Sequence, residues 1–198
     1  MIQRAFSLLD PRPYISGVSV QTSLLLLLAA VLPALHYSFG SIAFAENTLH
    51  LARPDAVQYM FGAALLLFGV LPAVTVIIGG MKLRDLGVQL GDWRDGLSAV
   101  VVLYPLVLVA TLLPGAYTPE LQAFYPFNHE ALNSWQALAH LELTRAVIYY
   151  FAWEFFFRGV LLFGLRKELG DWPAILIQVR SEEHTSELQS RVDISYAV

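Results

Sequence analysis

Long apolar segments separated by short polar ones run through the first 179 residues of this chain. Residues 18–42, 56–80, 97–114 and 146–165 are each apolar over a length close to the roughly 20 residues that a helix needs to cross a bilayer. A fifth apolar segment opens at residues 172–179, WPAILIQV. The pattern predicts an all-α fold, a polytopic transmembrane helix bundle of four spans plus the start of a fifth.

The fourth apolar segment lies inside a longer helical pattern, residues 135–169. Gly170 follows this pattern as a helix stop, and Pro173 is placed to begin the next helix in its first turn. The first segment has an alternative interpretation, because AFA at 43–45 precedes Glu46 like the cleavage site of a signal peptide. The long lead before the apolar core and the spans that follow favour a retained span.

Composition supports a membrane protein. Hydrophobic residues make up 57% of the chain and charged residues 14%, where a soluble domain carries about a quarter charged residues. The formal net charge is −4 with no basic cluster, so nucleic acid is not an expected partner. The chain has no cysteine, which excludes thiol catalysis, disulfides and cysteine metal sites.

Basic residues are distributed unevenly between alternate loops. Seven lie in the lead, in the loop between the second and third spans, and at the end of the fourth: Arg4, Arg12, Lys82, Arg84, Arg94, Arg166 and Lys167. The opposite side has Arg53, and Arg145 at most. By the positive-inside rule the N-terminus is expected in the cytosol, in a bacterial plasma membrane.

The amino-acid composition changes abruptly from apolar to polar at residue 180, in the middle of the fifth apolar segment. RSEEHTSELQS at 180–190 resembles the translation of a common sequencing-adapter oligonucleotide. We therefore expect residues 1–179 to be an incomplete membrane domain and residues 180–198 to be a non-native tail. We therefore assign no function to His184, Glu182 or Glu183. The natural protein is expected to continue beyond Val179.

Two ionisable residues interrupt the fourth span, in FAWEFFFRGVLLFGL at 151–165. Glu154 and Arg158 are four residues apart and share a helix face, with the glutamate in the favourable N-terminal position. One charge at mid-bilayer costs about 2.5–3.5 kcal/mol on insertion scales, so a retained pair is a functional-site hypothesis. A carboxylate so placed can act as a general base towards water. The alternative is an ion pair that only locks helices together.

This face continues along the span through Val147, Phe151, Leu161 and Leu165. We expect it to look into a helix bundle or a polar cavity. Phe155, Phe156 and Phe157 are then expected to cover the other sides of the helix.

WEFFFRGVLLFGL resembles the first motif of the CPBP family, the intramembrane CAAX-prenyl-protease and bacteriocin-processing (Abi) proteins. That motif is two glutamates, three residues and Arg-Gly. LRKELGDWPAILIQ and LGVQLGDWRDGL also resemble the family, so that the likeness covers roughly residues 80–179. It implies an intramembrane endopeptidase in which a glutamate and histidines of later helices activate water, with the arginine supporting the site.

Carried over to this chain, Glu154 matches the second glutamate and Arg158 the arginine, and these are the candidate catalytic residues. The first glutamate falls on Trp153, which cannot act as a base, so either Glu154 takes over the role or this branch is not a protease. The histidine motifs would lie beyond Val179, so the 198-residue chain is expected to be inactive.

The remaining polar and aromatic residues carry weaker signals. Glu142 and Arg145 fit a solvated or headgroup-level pair, and Trp135, Trp153 and Trp172 fit interfacial anchoring or packing. The upstream histidines are expected to be interfacial or hydrogen-bonded: His36, His50, His129 and His140. His140 lies about 21 Å from Glu154 along a helix, and no H-E-x-x-H spacing predicts a metal site.

Three functions therefore remain open. The first is a CPBP-type endopeptidase acting on a membrane-associated peptide, a leader peptide or a prenylated protein tail. The second is a non-catalytic membrane scaffold with a structural Glu154–Arg158 pair. The third is a transporter fragment that uses Glu154 as a proton relay. The sequence leaves the cofactor unknown, including any need for a metal.

Overall fold

The computed structural model describes residues 18–89 and 91–195, and regular structure within these ranges is helical. The elements are α1 (Val20–Phe39), α2 (Ile42–Asn47), α3 (Arg53–Ile78), a 3-10 turn (Leu83–Leu86), α4 (Trp93–Gly115), α5 (Pro119–Phe124), a second 3-10 turn (His129–Asn133), α6 (Trp135–Leu169) and α7 (Asp171–Ser195). Helices α1, α3, α4 and α6 are each long and apolar enough to cross a membrane. The predicted all-α bundle with four spans is confirmed, and the chain is a multi-pass membrane protein.

The fifth apolar segment opens α7. Gly170, with φ of 84°, separates α6 from α7, and Pro173 lies in the first turn of α7, as predicted. Helix α7 continues through Arg180 to Ser195 without a break. The change of composition at residue 180 is therefore not matched by a change of backbone conformation, because the polar residues that follow are ordinary helix formers. Arg4 and Arg12 of the N-terminal lead lie outside the described residues.

Serine residues define the starts of two spans. The Ser19 hydroxyl accepts a hydrogen bond from the Thr22 backbone N–H at 3.1 Å, and the Ser134 hydroxyl accepts one from Ala137 at 3.1 Å. Each satisfies one of the backbone donors that a helix start leaves unpaired. The start of α1 is also tied to the end of α6.

The tie between α1 and α6 is the carboxylate of Glu168. It accepts hydrogen bonds at 2.6 Å from both the backbone N–H and the hydroxyl of Ser19, and a third from the Thr22 hydroxyl. A negative charge at a helix N-terminus interacts favourably with the helix dipole. The contact aligns the first and fourth spans at one membrane surface.

The core lies between α1, α3 and α6 and is largely aromatic. Phe68 of α3 stacks on Phe156 of α6 with ring centroids 5.0 Å apart. Around them are the buried residues Leu25, Leu32, Met60, Phe61, Phe157, Val160 and Leu161. Because lipid tails are as apolar as these side chains, close packing rather than the exclusion of water holds such helices together.

Helix α4 lies apart from this core. Residues 93–114 are all exposed, although residues 99–114 are almost wholly apolar. A helix that is apolar on every side fits a lipid environment. The third span therefore contributes no buried residue to the packing of the described chain.

The connection between α3 and α4 folds back onto α6. Leu86 is buried there, and the Asp85 carboxylate pairs with Lys167 Nζ at 3.2 Å. Gly87, with φ of 83°, packs against the ring of Phe163, where a Cβ atom would lie 2.9 Å from the ring. We call residues 83–87 the 83–87 turn.

Gly159 of α6 leaves space for this turn, because the backbone of Leu86 lies against the position where a side chain would begin. A Cβ atom at Gly159 would lie 3.0 Å from the carbonyl oxygen of Leu86 and 3.3 Å from the Phe155 ring. Because the Leu86 contact is backbone, it cannot be relieved by a rotamer change. Gly159→Ala is expected to lower stability by about 1–2 kcal/mol through overpacking, measured by denaturant unfolding in detergent micelles.

Gly62→Ala is the matched control. It lies in α3, and nothing stands within 4 Å of its Cβ position. Alanine there is expected to be neutral or stabilising, because glycine in a helix interior costs about 1 kcal/mol relative to alanine. Equal shifts for the two variants would contradict the tight contact at Gly159.

Candidate functional site

Glu154 and Arg158 form the ion pair that their spacing predicts. The Arg158 Nη1 atom lies 2.5 Å from Glu154 Oε1. Glu154 ends a short α-helical segment (Phe151–Glu154) of α6, and Arg158 belongs to the π-helical segment that follows (Phe155–Phe163). Arg158 lies about 12 Å along the helix from Arg166, which ends the apolar part of the span, so the pair sits at mid-membrane depth.

The two charged side chains are open to their surroundings. The Glu154 side chain is 51% exposed and that of Arg158 49% exposed. By contrast, the adjacent residues Phe155, Phe156 and Phe157 are buried. Within the described chain the ion pair is therefore not enclosed by other helices, and Phe155, Phe156 and Phe157 cover other sides of the helix, as predicted. That the charged face looks into a bundle or a polar cavity stays a prediction. Three aromatic rings fill the core, where an ion pair would lose solvation without other polar partners.

The predicted face is also divided along its length. Val147 and Phe151 share the exposed side with the ion pair, whereas Leu161 and Leu165 are fully buried. The reason is the π-helical segment between residues 155 and 163, in which hydrogen bonds close wider turns than in an α-helix. Residues spaced for an α-helical stripe are rotated away from one another across such a segment. π-helical turns are frequent at functional sites.

Trp153 packs in the aromatic core beside the ion pair. Its ring lies 4.8 Å from that of Phe157, 5.4 Å from Phe68 and 5.6 Å from Tyr149, measured between centroids. Of the two roles predicted for it, anchoring or packing, the structure selects packing.

His36 is an ionisable residue of the aromatic core. It is 1% exposed in the middle of the core, with its ring 4.9 Å from Phe68 and 6.4 Å from Trp153. The ring is hydrogen-bonded to the backbone of Met60, and the Nε2 atom has no partner. Of the two alternatives expected for the upstream histidines, an interfacial position or a hydrogen bond, His36 has the hydrogen bond. The signal that singled out Glu154, an ionisable residue inside an apolar span, also applies to His36.

The other histidines remain outside this core. His50 and His140 are exposed, and His129 starts the second 3-10 turn, with Nε2 at 3.2 Å from the carbonyl oxygen of Ala123. Among the described residues, no group of three His, Asp or Glu side chains is placed to hold a metal ion.

Glu142 and Arg145 also pair, as expected from their spacing. The Arg145 guanidinium lies over the ring of Tyr150, 5.6 Å from its centroid. Its side chain is only 22% exposed, and its Nε atom is buried without a partner. The pair is therefore partly exposed, with the guanidinium shielded by the ring of Tyr150.

Glu182 of α7 approaches the site from the segment that resembles adapter sequence. Its carboxylate accepts a hydrogen bond from Trp153 Nε1 at 3.3 Å and lies 3.7 Å from Arg158 Nη1. A carboxylate at this place satisfies both donors. Residues 180–198 are expected to be non-native, so we assign no function to these contacts of Glu182.

The site on the described chain thus consists of an open Glu154–Arg158 pair at mid-membrane, backed by an aromatic core that contains a buried histidine. Such a pair can hold a carboxylate in a fixed position and present it to a polar molecule. No protein-family model, curated protein or solved structure matches this chain.

Proposed function

We propose that the protein is an intramembrane endopeptidase of the CPBP type, in which Glu154 activates water to hydrolyse a peptide bond. The observation that carries the proposal is the Glu154–Arg158 ion pair, 2.5 Å long and half exposed at mid-depth of the fourth span. A charged pair on an open helix face in a bilayer is costly unless it serves a polar site. The resemblance of WEFFFRG to the family motif supplies the reaction class.

The chemistry assigns different roles to the two residues. The Glu154 carboxylate takes a proton from water as the water oxygen bonds to the peptide carbonyl carbon. It then passes that proton to the leaving nitrogen as the carbon–nitrogen bond breaks. Arg158 fixes the carboxylate by a charge-assisted hydrogen bond and offers its remaining N–H donors to negative charge that develops on the carbonyl oxygen.

We propose that the protein lies in a bacterial plasma membrane with its N-terminus in the cytosol. Lys82, Arg84, Arg166 and Lys167 then face the cytosol, in accord with the positive-inside rule. Its substrate is a membrane-associated peptide or a prenylated protein tail. Nucleic acid is not a partner, because the chain has no basic stripe.

A non-catalytic membrane scaffold is the second candidate. It is favoured by Trp153, which fills the place of the first motif glutamate with a packed aromatic ring. In a scaffold, the ion pair would only fix a neighbouring helix. The two candidates differ in whether a peptide bond is broken.

The test begins with the gene. The source locus is read through the codon for Val179, and the natural reading frame is expressed and reconstituted in liposomes. The proposal expects later apolar spans that bear histidines, and cleavage of a fluorogenic prenylated or leader peptide. A native frame that ends in residues 180–198, or a complete frame that cleaves none of these peptides, would favour the scaffold.

A further inference from the structure

Three N–H donors meet at one place between α6 and α7, beside the ion pair of the fourth span. Trp153 Nε1 donates to a carboxylate oxygen of Glu182 at 3.3 Å, and Arg158 Nη1 lies 3.7 Å from the same oxygen. The side-chain amide of Gln178, one turn earlier on α7, donates to the other oxygen of that carboxylate. The three donors therefore converge on a single acceptor group.

The donors belong to residues before position 180, and packing fixes two of them. The side chains of Trp153 and Gln178 are both buried. Ala174, four residues before Gln178, is buried as well, so these two residues define the side of α7 that faces the bundle. Position 182 is the next place on that side. The donors thus lie in the membrane domain, whereas the acceptor lies in the segment expected to be non-native.

Buried donors at membrane depth need an acceptor. An indole or amide N–H without one costs free energy, because lipid tails offer no hydrogen bond. We therefore expect the natural protein to hold an oxygen atom of another origin at this place. Charge balance favours a neutral one: Glu154 and Arg158 cancel, and a further carboxylate would leave a net negative charge that costs about 2.5–3.5 kcal/mol on insertion scales.

We propose that Trp153, Arg158 and Gln178 form the binding site for the carbonyl oxygen of the scissile peptide bond. The inference rests on the proposed function, which supplies the peptide. Glu154 Oε1 and the acceptor oxygen both contact Arg158 Nη1, so a carbonyl held there lies beside the proposed base. The place can be reached, since the Glu182 side chain that occupies it is 27% exposed.

The donors act when water adds to the peptide. As the water oxygen bonds to the carbonyl carbon, one electron pair of the C=O double bond moves to the oxygen, which becomes negative. The three N–H groups stabilise this charge until the carbon–nitrogen bond breaks and the double bond forms again. Trp153 and Gln178 add two neutral donors to Arg158, and they bring no further charge into the bilayer.

The acceptor preference is tested on the 198-residue chain in lipid nanodiscs. Glu182→Gln places a neutral carbonyl oxygen at the acceptor position, and Glu182→Met has the same length without an acceptor. The indole N–H resonance of Trp153 is assigned by its loss in Trp153→Phe. We expect it to stay downfield in Glu182→Gln and to shift upfield in Glu182→Met, because a hydrogen-bonded proton is deshielded. The resonance of Trp172, which is 76% exposed, is expected to be the same in both.

The role in catalysis is tested in the natural reading frame. Removal of one oxyanion donor costs about 10²–10³-fold in rate, and with two other donors left we expect Trp153→Phe to lower kcat by at least about tenfold with little change in KM. Gln178→Met, which keeps the length of the side chain, is expected to act in the same way and serves as the second variant if Trp153→Phe fails to fold. Trp172→Phe is the control and is expected to cleave at the full rate.

The outcomes separate this site from the proposed peptidase activity. Full cleavage rates in both Trp153→Phe and Gln178→Met would overturn the site and leave Glu154 as the base. Equal indole shifts for Glu182→Gln and Glu182→Met would overturn it too. So would a natural residue 182 that is itself the acceptor, if Trp153→Phe then lowered only stability. A natural frame that cleaves no peptide would instead remove the proposed function, whichever way the indole resonance moves.

Discussion

Glu154→Gln is expected to abolish peptide-bond cleavage by the natural reading frame, with a loss of at least about 100-fold in rate, as general-base contributions are about 10²–10⁴-fold. Glutamine keeps the size of the side chain and an oxygen that can accept from Arg158, but it cannot take a proton from water. The effect therefore falls on the chemical step and not on the helix that carries the residue. Initial rates of cleavage in liposomes measure it.

Glu142→Gln is the matched control for this prediction. Glu142 lies on the same helix and pairs with Arg145 as Glu154 pairs with Arg158. The control is expected to cleave at a normal rate, because its pair lies outside the span centre. Cleavage that survived Glu154→Gln would remove Glu154 as the base, and an equal loss in both variants would indicate a general effect of charge removal.

Phe68→Ala is expected to destabilise the protein by about 3 kcal/mol, at the lower end of the range for buried Phe→Ala changes. Phe68 is fully buried, and its ring packs between those of His36, Trp153, Phe156 and Phe157, with centroids 4.9–5.6 Å away. Removing it leaves a cavity that joins α1, α3 and α6. The lower end applies because the unfolded side chain would still lie in lipid rather than in water.

Phe151→Ala provides the comparison for Phe68→Ala. Phe151 lies on α6 and is 58% exposed, so its removal opens no internal cavity. Its effect is expected to be below about 1 kcal/mol, since changes at exposed positions are usually small. Unfolding by denaturant in micelles, followed by circular dichroism, measures both. Similar losses for the two variants would contradict the core between α1, α3 and α6.

Local pattern was sufficient to predict the elements of this fold. The four spans follow from the length of the apolar segments alone. In lipid, every backbone N–H and C=O group needs a hydrogen-bond partner within the protein, and a helix supplies these partners within one segment. Gly170 and Pro173 mark the border between α6 and α7 through their own backbone preferences. The Glu154–Arg158 pair follows from a spacing of four residues, which needs no other part of the chain.

Which side of each helix faces the core could not be predicted from such local patterns. A span that is apolar on most sides contains little information about which side faces protein and which faces lipid, since both environments are apolar. The sequence thus predicted that Phe155, Phe156 and Phe157 lie on other sides of the helix than the ion pair, but not that those sides form the core and leave the ion pair half exposed. It also gave no sign that α4 would lie apart from the core.

By itself, the sequence determined that the chain is a helical membrane protein with four spans and an ion pair inside the fourth, because length, hydropathy and i,i+4 spacing are properties of single segments. The tertiary structure decided that Phe68, Trp153 and His36 share one core, that Gly159 admits the 83–87 turn, and that the ion pair is left open. These features depend on contacts between residues distant in sequence and on the π-helical turns of α6, which shift the faces of the helix.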